Sequence, residues 1–213
     1  MKKKDIKKPI HRVDLDLYNY PLTPKTDDES IEYKRICDGE IAEIKGYRIV
    51  LDTCKVEKYN FRDCEFVRSE FIDTVFKNCE LTNCTFIDST FARVEFMNCK
   101  LLGTHFVETN LSNVLLSEVH ADYLDISECK LKNVKIANSS LVMATLFNNK
   151  IDNFILDTVN LQNATFYESS LNGVDLSTSD TYGIKIELKS IRGATIASWQ
   201  AVDICDLLGV QIK

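Results

Sequence analysis

The chain has 213 residues, 45% of them hydrophobic and 27% charged, with a formal net charge of −6 at pH 7. That is enough for one large domain or two small ones, and no apolar run approaches the roughly 18 residues of a membrane-spanning helix. The acid excess argues against nonspecific affinity for nucleic acid phosphates.

In chain order, the opening MKKKDIKKPIHR is basic but leads into no apolar stretch. The expectation is a cytoplasmic protein without a secretory signal. Residues 1–30, which include YPLTPKTDDES, follow no period and read as an N-terminal arm or cap. A five-residue register then starts weakly at Ile31, Ile36, Ile41 and Leu51 and becomes strict from Val56 onward. Of the 25 positions spaced five apart from Val56 to Leu176, 24 are Phe, Leu, Ile or Val, and the exception is Ala121. Strands repeat every two residues and helices every 3.6, so neither alone produces this period.

Two residues before each centre stands a mostly small side chain: Cys54, Cys64, Ser69, Thr74, Cys79, Cys84, Ser89, Val94, Cys99, Thr104. Positions two apart in an extended segment face the same side, so a large and a small side chain point inward together. Two residues after the centre, 14 of 25 positions are Asn, Asp or Gly, residues that favour turns. A short extended piece and a turn every five residues make a coil with corners. Four sides per coil predict an all-β fold, a right-handed quadrilateral parallel β-helix over residues 31–197, with side chains 20 apart in columns. Phe66, Phe86, Phe106, Ile126, Leu146 and Phe166 form one such column, and Val94, Val114, Val134, Phe154 and Val174 another. About eight coils at roughly 4.8 Å give a rod about 40 Å long, exposed at both ends and in need of caps.

Residues 198–213 drop the period and predict a short C-terminal helix. Ser198 is the expected N-cap, Ala201, Val202, Cys205 and Leu208 share one face, and Gly209 is the expected stop. Trp199, Val202, Cys205, Leu207 and Leu208 leave more apolar surface than one coil end covers, and this predicts a dimer interface.

Chemistry-bearing motifs are few. Six of the eight cysteines (Cys54, Cys64, Cys79, Cys84, Cys99, Cys129) hold the small inward position and read as reduced core residues, since no C-x2-C pair suits zinc. His105 and His120 fall on different walls, and no Ser-His-Asp order, phosphate loop or H-E-x-x-H is present. The expectation is a non-enzyme with no metal and no cofactor. Charge, by contrast, is uneven. Between positions 65 and 168 the wall centred on Phe66 carries Glu65, Asp88, Glu108, Asp125, Glu128 and Glu168 against Arg68, a sum of −5. The Phe71 wall sets Glu70, Asp73 and Asp152 against Arg93, Lys130, Lys132 and Lys150, a sum of +1. The acidic wall also turns Val67, Ile87, Val107, Phe147 and Tyr167 outward, and an apolar stripe flanked by acid is a candidate protein-binding face.

This pattern, over about residues 31–196, resembles the pentapeptide-repeat proteins. The ending RGATIASWQAVDICDLLGVQIK further resembles that of the Qnr quinolone-resistance proteins, through Trp199, Gln200, Ala201, Leu208, Gly209 and Val210. The resemblance implies end-to-end homodimers shaped like a duplex that bind and inhibit DNA gyrase and topoisomerase IV. It also implies fluoroquinolone resistance, without direct nucleic-acid or membrane binding. Many members interrupt the coil with two loops, whereas this chain keeps phase throughout, so inhibition is better supported than protection. The alternative is a solenoid scaffold or immunity protein for another partner.

Overall fold

A five-residue period becomes a coil because the backbone turns at every fifth residue. The computed structural model describes residues 5–10, 15–18 and 27–206. Every corner residue from Lys58 to Gly173, two after each centre, has φ between +47° and +79°. Asn, Asp and Gly tolerate this left-handed region, but Tyr123 and Met143 adopt it as well, at +59° and +58°. The stacked neighbours therefore impose the corner, whatever side chain stands there. Each corner N–H donates to the next coil, as Asp88 does to the Val107 carbonyl at 3.0 Å.

Four corners close a square coil, and successive coils pair in parallel with a shift of 20 residues: Phe66 with Phe86, Phe86 with Phe106, Val94 with Val114. The expected columns are thus the observed ones. The Phe66 wall forms its own eight-stranded sheet, from Lys45–Tyr47 through Glu65–Val67 and His105–Val107 to Lys185–Ile186. The other walls join into a twelve-stranded sheet whose longer strands, such as Thr90–Met97 and Lys130–Ser140, bend round corners.

Inside, the phenylalanines stack along the columns, Phe71 on Phe91 at 4.5 Å and Phe76 on Phe96 at 4.9 Å between centroids. Neighbouring columns meet edge to face, Phe86 against Phe91 at 5.1 Å and 86°. Both arrangements suit the ring quadrupole.

The small position does more than leave room. Ser69, Ser89, Thr109, Cys129, Asn149 and Ser169 form one column in which each side chain accepts the N–H of the residue 20 earlier. Each of the hydroxyls and thiols also donates to a carbonyl, Thr109 to Phe86 at 3.1 Å and Cys129 to Phe106 at 3.2 Å. The column is a polar seam in an apolar core, and its groups are satisfied. Cysteine serves here as a small donor. Burial pushes the Cys54 thiol up to about 11 and Cys129 up to about 12. Cys79 and Cys84 are raised by side-chain hydrogen bonding with their stacked neighbours Cys99 and Cys64, with burial adding to the effect. All eight thiols are free, and Cys37 and Cys205 alone are not fully buried. A thiol reagent at pH 8 should therefore modify Cys37 and Cys205 quickly and the six core thiols only after denaturation, which mass spectrometry of the alkylated peptides would read.

Where a centre is small, the residue three later is large. Gly46 is followed by buried Ile49, Ala121 by Leu124 and Thr181 by Ile184. A Cβ on Gly46 would stand 2.8 Å from Ile49 Cγ1, so the exchanged side chain already fills the space. Adjacent coils keep the usual order, Leu141 with Ala144 and Leu161 with Ala164. Ala121→Leu alone should overpack and cost about 1–3 kcal/mol. Leu124→Ala alone should cost about 2–5 kcal/mol. The double variant restores the neighbours' pattern and should recover most of both losses in urea titration.

Both ends carry elements outside the strict five-residue register. Asp16–Leu17 already pairs with Lys34–Arg35, so a strand of the first 30 residues continues the stack. At the other end Ser198 is not the N-cap. Ala197 takes that place before a short 3-10 turn, Ser198–Gln200, and the helix itself is Ala201–Asp206. The capping work falls to Gln200, which is fully buried. Its Oε1 accepts the Ala197 N–H at 2.7 Å, and its Nε2 donates to the carbonyls of Leu176 and Ser179 at 2.9 and 2.8 Å. Leu207, Leu208, Gly209 and Val210 lie outside the described residues.

Candidate protein-binding wall

The eight-stranded sheet sets three outward positions per coil: one before the centre, one after it, and the corner. Among the candidate residues, Asp88, Glu108, Glu128 and Glu168 stand at exposed corners, and Glu65 and Asp125 precede centres, part-exposed. All six share one wall, as the period required. Pairing then separates them. Lys45 Nζ lies 3.6 Å from Glu65, Arg68 Nε 3.0 Å from Asp88, and Lys189 Nζ 3.7 Å from Glu168. Asp125 has His105 Nδ1 at 3.3 Å. Glu108 and Glu128, one coil apart, have no cation within ion-pair distance among the described residues. Cations thus guard the two ends of the wall, and its uncompensated acid lies in the middle.

The apolar column is also divided. Val67, Ile87 and Val107 run together, Ser127 interrupts, and Phe147 stacks on Tyr167 at 6.0 Å and 13°. Lys189 Nζ sits 5.6 Å over the Tyr167 ring, so that end of the stripe is tied to a cation.

Asp73, counted from the sequence among the outward charges of the Phe71 wall, is buried. It is 6% exposed and holds Arg93 in a two-pronged pair, Nε to Oδ1 at 2.7 Å and Nη2 to Oδ2 at 2.6 Å. Sequence reasoning also missed an exposed apolar patch at the corner beside the acidic wall, made by Leu102, Tyr123 and Met143. Its signal was there in Tyr123 and Met143, bulky residues at corners that prefer Asn or Gly. Of the expected dimer residues, Trp199 and Val202 are 56% and 52% exposed and Cys205 is part-buried.

An apolar cavity of about 30 Å³ near the N-terminal end, lined by Ile31, Leu51, Phe61 and Phe66, has the volume of about one water. Among the described residues, no group of three or more His, Cys, Asp or Glu could hold a metal ion. No helix among them is long and apolar enough to cross a membrane.

Residues 69–146 match the family model for a pentapeptide repeat region, and the same corners and columns continue on both sides of that stretch. The chain thus contains a pentapeptide repeat region. No curated protein matches the chain. Among solved structures, the solenoid is similar to a trypsin-treated variant of QnrB1, a plasmid-mediated fluoroquinolone resistance protein. The identity is 16% over 87% of this chain and 99% of that one, with a TM-score of 0.42. Full-length QnrB1 gives 13% identity over 83% and 100%, TM-score 0.32. HetL from the cyanobacterium Nostoc sp. strain PCC 7120, a pentapeptide-repeat protein involved in heterocyst differentiation regulation, gives 12% over 83% and 93%, TM-score 0.32. Likeness at this level identifies no partner for this chain.

Proposed function

We propose that this protein binds a type II topoisomerase, DNA gyrase or topoisomerase IV, in the place of DNA and inhibits it. Reduced sensitivity to fluoroquinolones would follow. The protein acts by binding, in the cytoplasm, without catalysis or cofactor. The observation that carries this reading is the uncompensated acid at the middle of one straight wall, Glu108 and Glu128 with Asp125 beside them. A basic DNA-binding saddle would meet that acid without displacing a cation first. Charge density limits the mimicry. A duplex of about 40 Å carries roughly 24 negative charges, whereas residues 51–190 hold 20 acidic and 13 basic side chains, 20 − 13, a net of −7. What is imitated is a rod with one acidic wall.

A homodimer completes the rod. Trp199 and Val202 leave apolar surface beside the last coil, and such an end pairs most simply about a two-fold axis. A chain ending at Ser198 should sediment as a monomer or precipitate; a soluble dimer would remove the assignment.

A second reading, a scaffold or immunity protein for some other partner, is favoured by the Leu102–Tyr123–Met143 patch, which lies off the acidic wall. The supercoiling reaction of purified gyrase, with and without a fluoroquinolone, separates the two. Dose-dependent inhibition that weakens as salt rises supports the topoisomerase reading. Unchanged supercoiling at a large molar excess of the protein sinks it.

A further inference from the structure

Residues 5–10 lie outside the coil but are held against it. The Ile10 N–H donates to Asp73 Oδ1 at 2.9 Å, and the Lys7 N–H donates to Asn113 Oδ1 at 3.2 Å. Asp73 and Asn113 occupy one corner two coils apart, a rise of about 9.6 Å. Three extended residues span about 10 Å. The segment therefore runs along the rod axis, across the coils, and its spacing matches theirs.

Other features make this a built site. Pro9, between the two anchors, is buried. Asp73 is fixed by Arg93 from the intervening coil, so its carboxylate is already aimed before the peptide arrives. Val75 and Glu95, which point outward by register beside this corner, are only 4% and 8% exposed. No cation lies within ion-pair distance of Glu95 among the described residues. Beyond Asn113 the corner continues upward, with Asn133 donating to Asn113 and Asn153 to Asn133 through their side-chain amides. The row of side-chain oxygens is thus longer than the described segment that uses it.

We propose that this corner is a recognition track for an extended, basic, proline-containing peptide of a protein partner, and that residues 5–10 are its occupant in cis. Main-chain N–H groups at every third residue would meet the corner oxygens, the proline would fill the gap between anchors, and Glu95 would favour a cation above it. The proposal concerns a different corner from the acidic wall and does not depend on the topoisomerase reading.

The test uses the full chain carrying Ile6→Asp and Pro9→Asp, which should release the segment, and a fluorescent synthetic peptide KDIKKPIHRV. Anisotropy titration should show binding to this opened variant at least about tenfold tighter than to wild type. A tethered segment competes at an effective concentration on the order of millimolar. Adding Asn113→Gly, which keeps the positive φ, should weaken the opened variant's binding several-fold with a thermal melt close to that of the opened variant, and a scrambled peptide of the same composition should bind at least about tenfold more weakly. The idea is overturned by absence of binding near about 1 mM peptide, or by equal binding of the scrambled peptide, which would indicate charge alone. It is also overturned if wild type sediments as a dimer that Pro9→Asp dissolves, because the segment would then belong to a second copy.

Discussion

Replacing Glu108, Asp125 and Glu128 with lysine should lower gyrase inhibition by about tenfold or more, since charge complementarity sets encounter rate and rejects wrong partners. Glu108 and Glu128 are the uncompensated acid at the middle of the wall and Asp125 lies beside them, and the change moves the wall's sum over positions 65–168 from −5 to +1. None of them is buried, so the thermal melt should stay close to wild type. Asp88 makes a poorer target than its sequence position suggests, because Arg68 already holds it. The matched control is Glu70 and Asp152, both exposed, on the Phe71 wall. Asp73 must be left out of that control, because losing it would strand Arg93 and release residues 5–10. Equal inhibition by the acidic-wall triple variant and the control would move the binding face elsewhere, with the Leu102–Tyr123–Met143 patch next in line.

Gln200→Ala should be among the most damaging single substitutions in the chain. It strands the Ala197 N–H and the Ser179 carbonyl and leaves the Leu176 carbonyl with the Ser179 N–H alone. Each unmade bond to a buried group costs about 1–3 kcal/mol, so a loss of about 3 kcal/mol in urea titration is expected. Gln200→Glu is the informative companion. A carboxylate still accepts from Ala197 but cannot donate to Leu176 or Ser179, so it should not rescue. Because each coil touches only its neighbours, hydrogen exchange should rise first between residues 176 and 196 and leave Phe86 to Phe106 protected. Uniform loss of protection would show that the coils melt as one unit.

Much of this was legible in the sequence. The five-residue spacing of Phe61, Phe66, Phe71 and Phe76 fixed both the coil and its columns, because a core position repeated every side admits few geometries. The acidic wall followed by counting. What escaped was whatever depends on long-range partners. Whether Glu65, Asp88 and Glu168 are compensated turns on Lys45, Arg68 and Lys189, a coil away in each case. The exception at Ala121 is explained by Leu124, a volume exchange that a search for identical positions passes over. Ser198 had the right chemistry for an N-cap, but Gln200 reaches further and satisfies three groups at once. Residues 5–10 carry no periodicity, so nothing in their own sequence announced that they would line a corner.

The shift of 20 residues between paired coils turns chain length into a control on orientation. A deletion of one whole coil would shorten the rod by about 4.8 Å and leave every wall composed as before. Removing a single five-residue side would instead rotate everything downstream by a quarter turn, carrying Glu128 onto the face that now bears Tyr123 while the buried columns still closed on similar side chains. Lineages of such solenoids can therefore lose or gain a side without unfolding and present a reassorted surface in one step, a route to new partners that a fold with a fixed strand order does not offer.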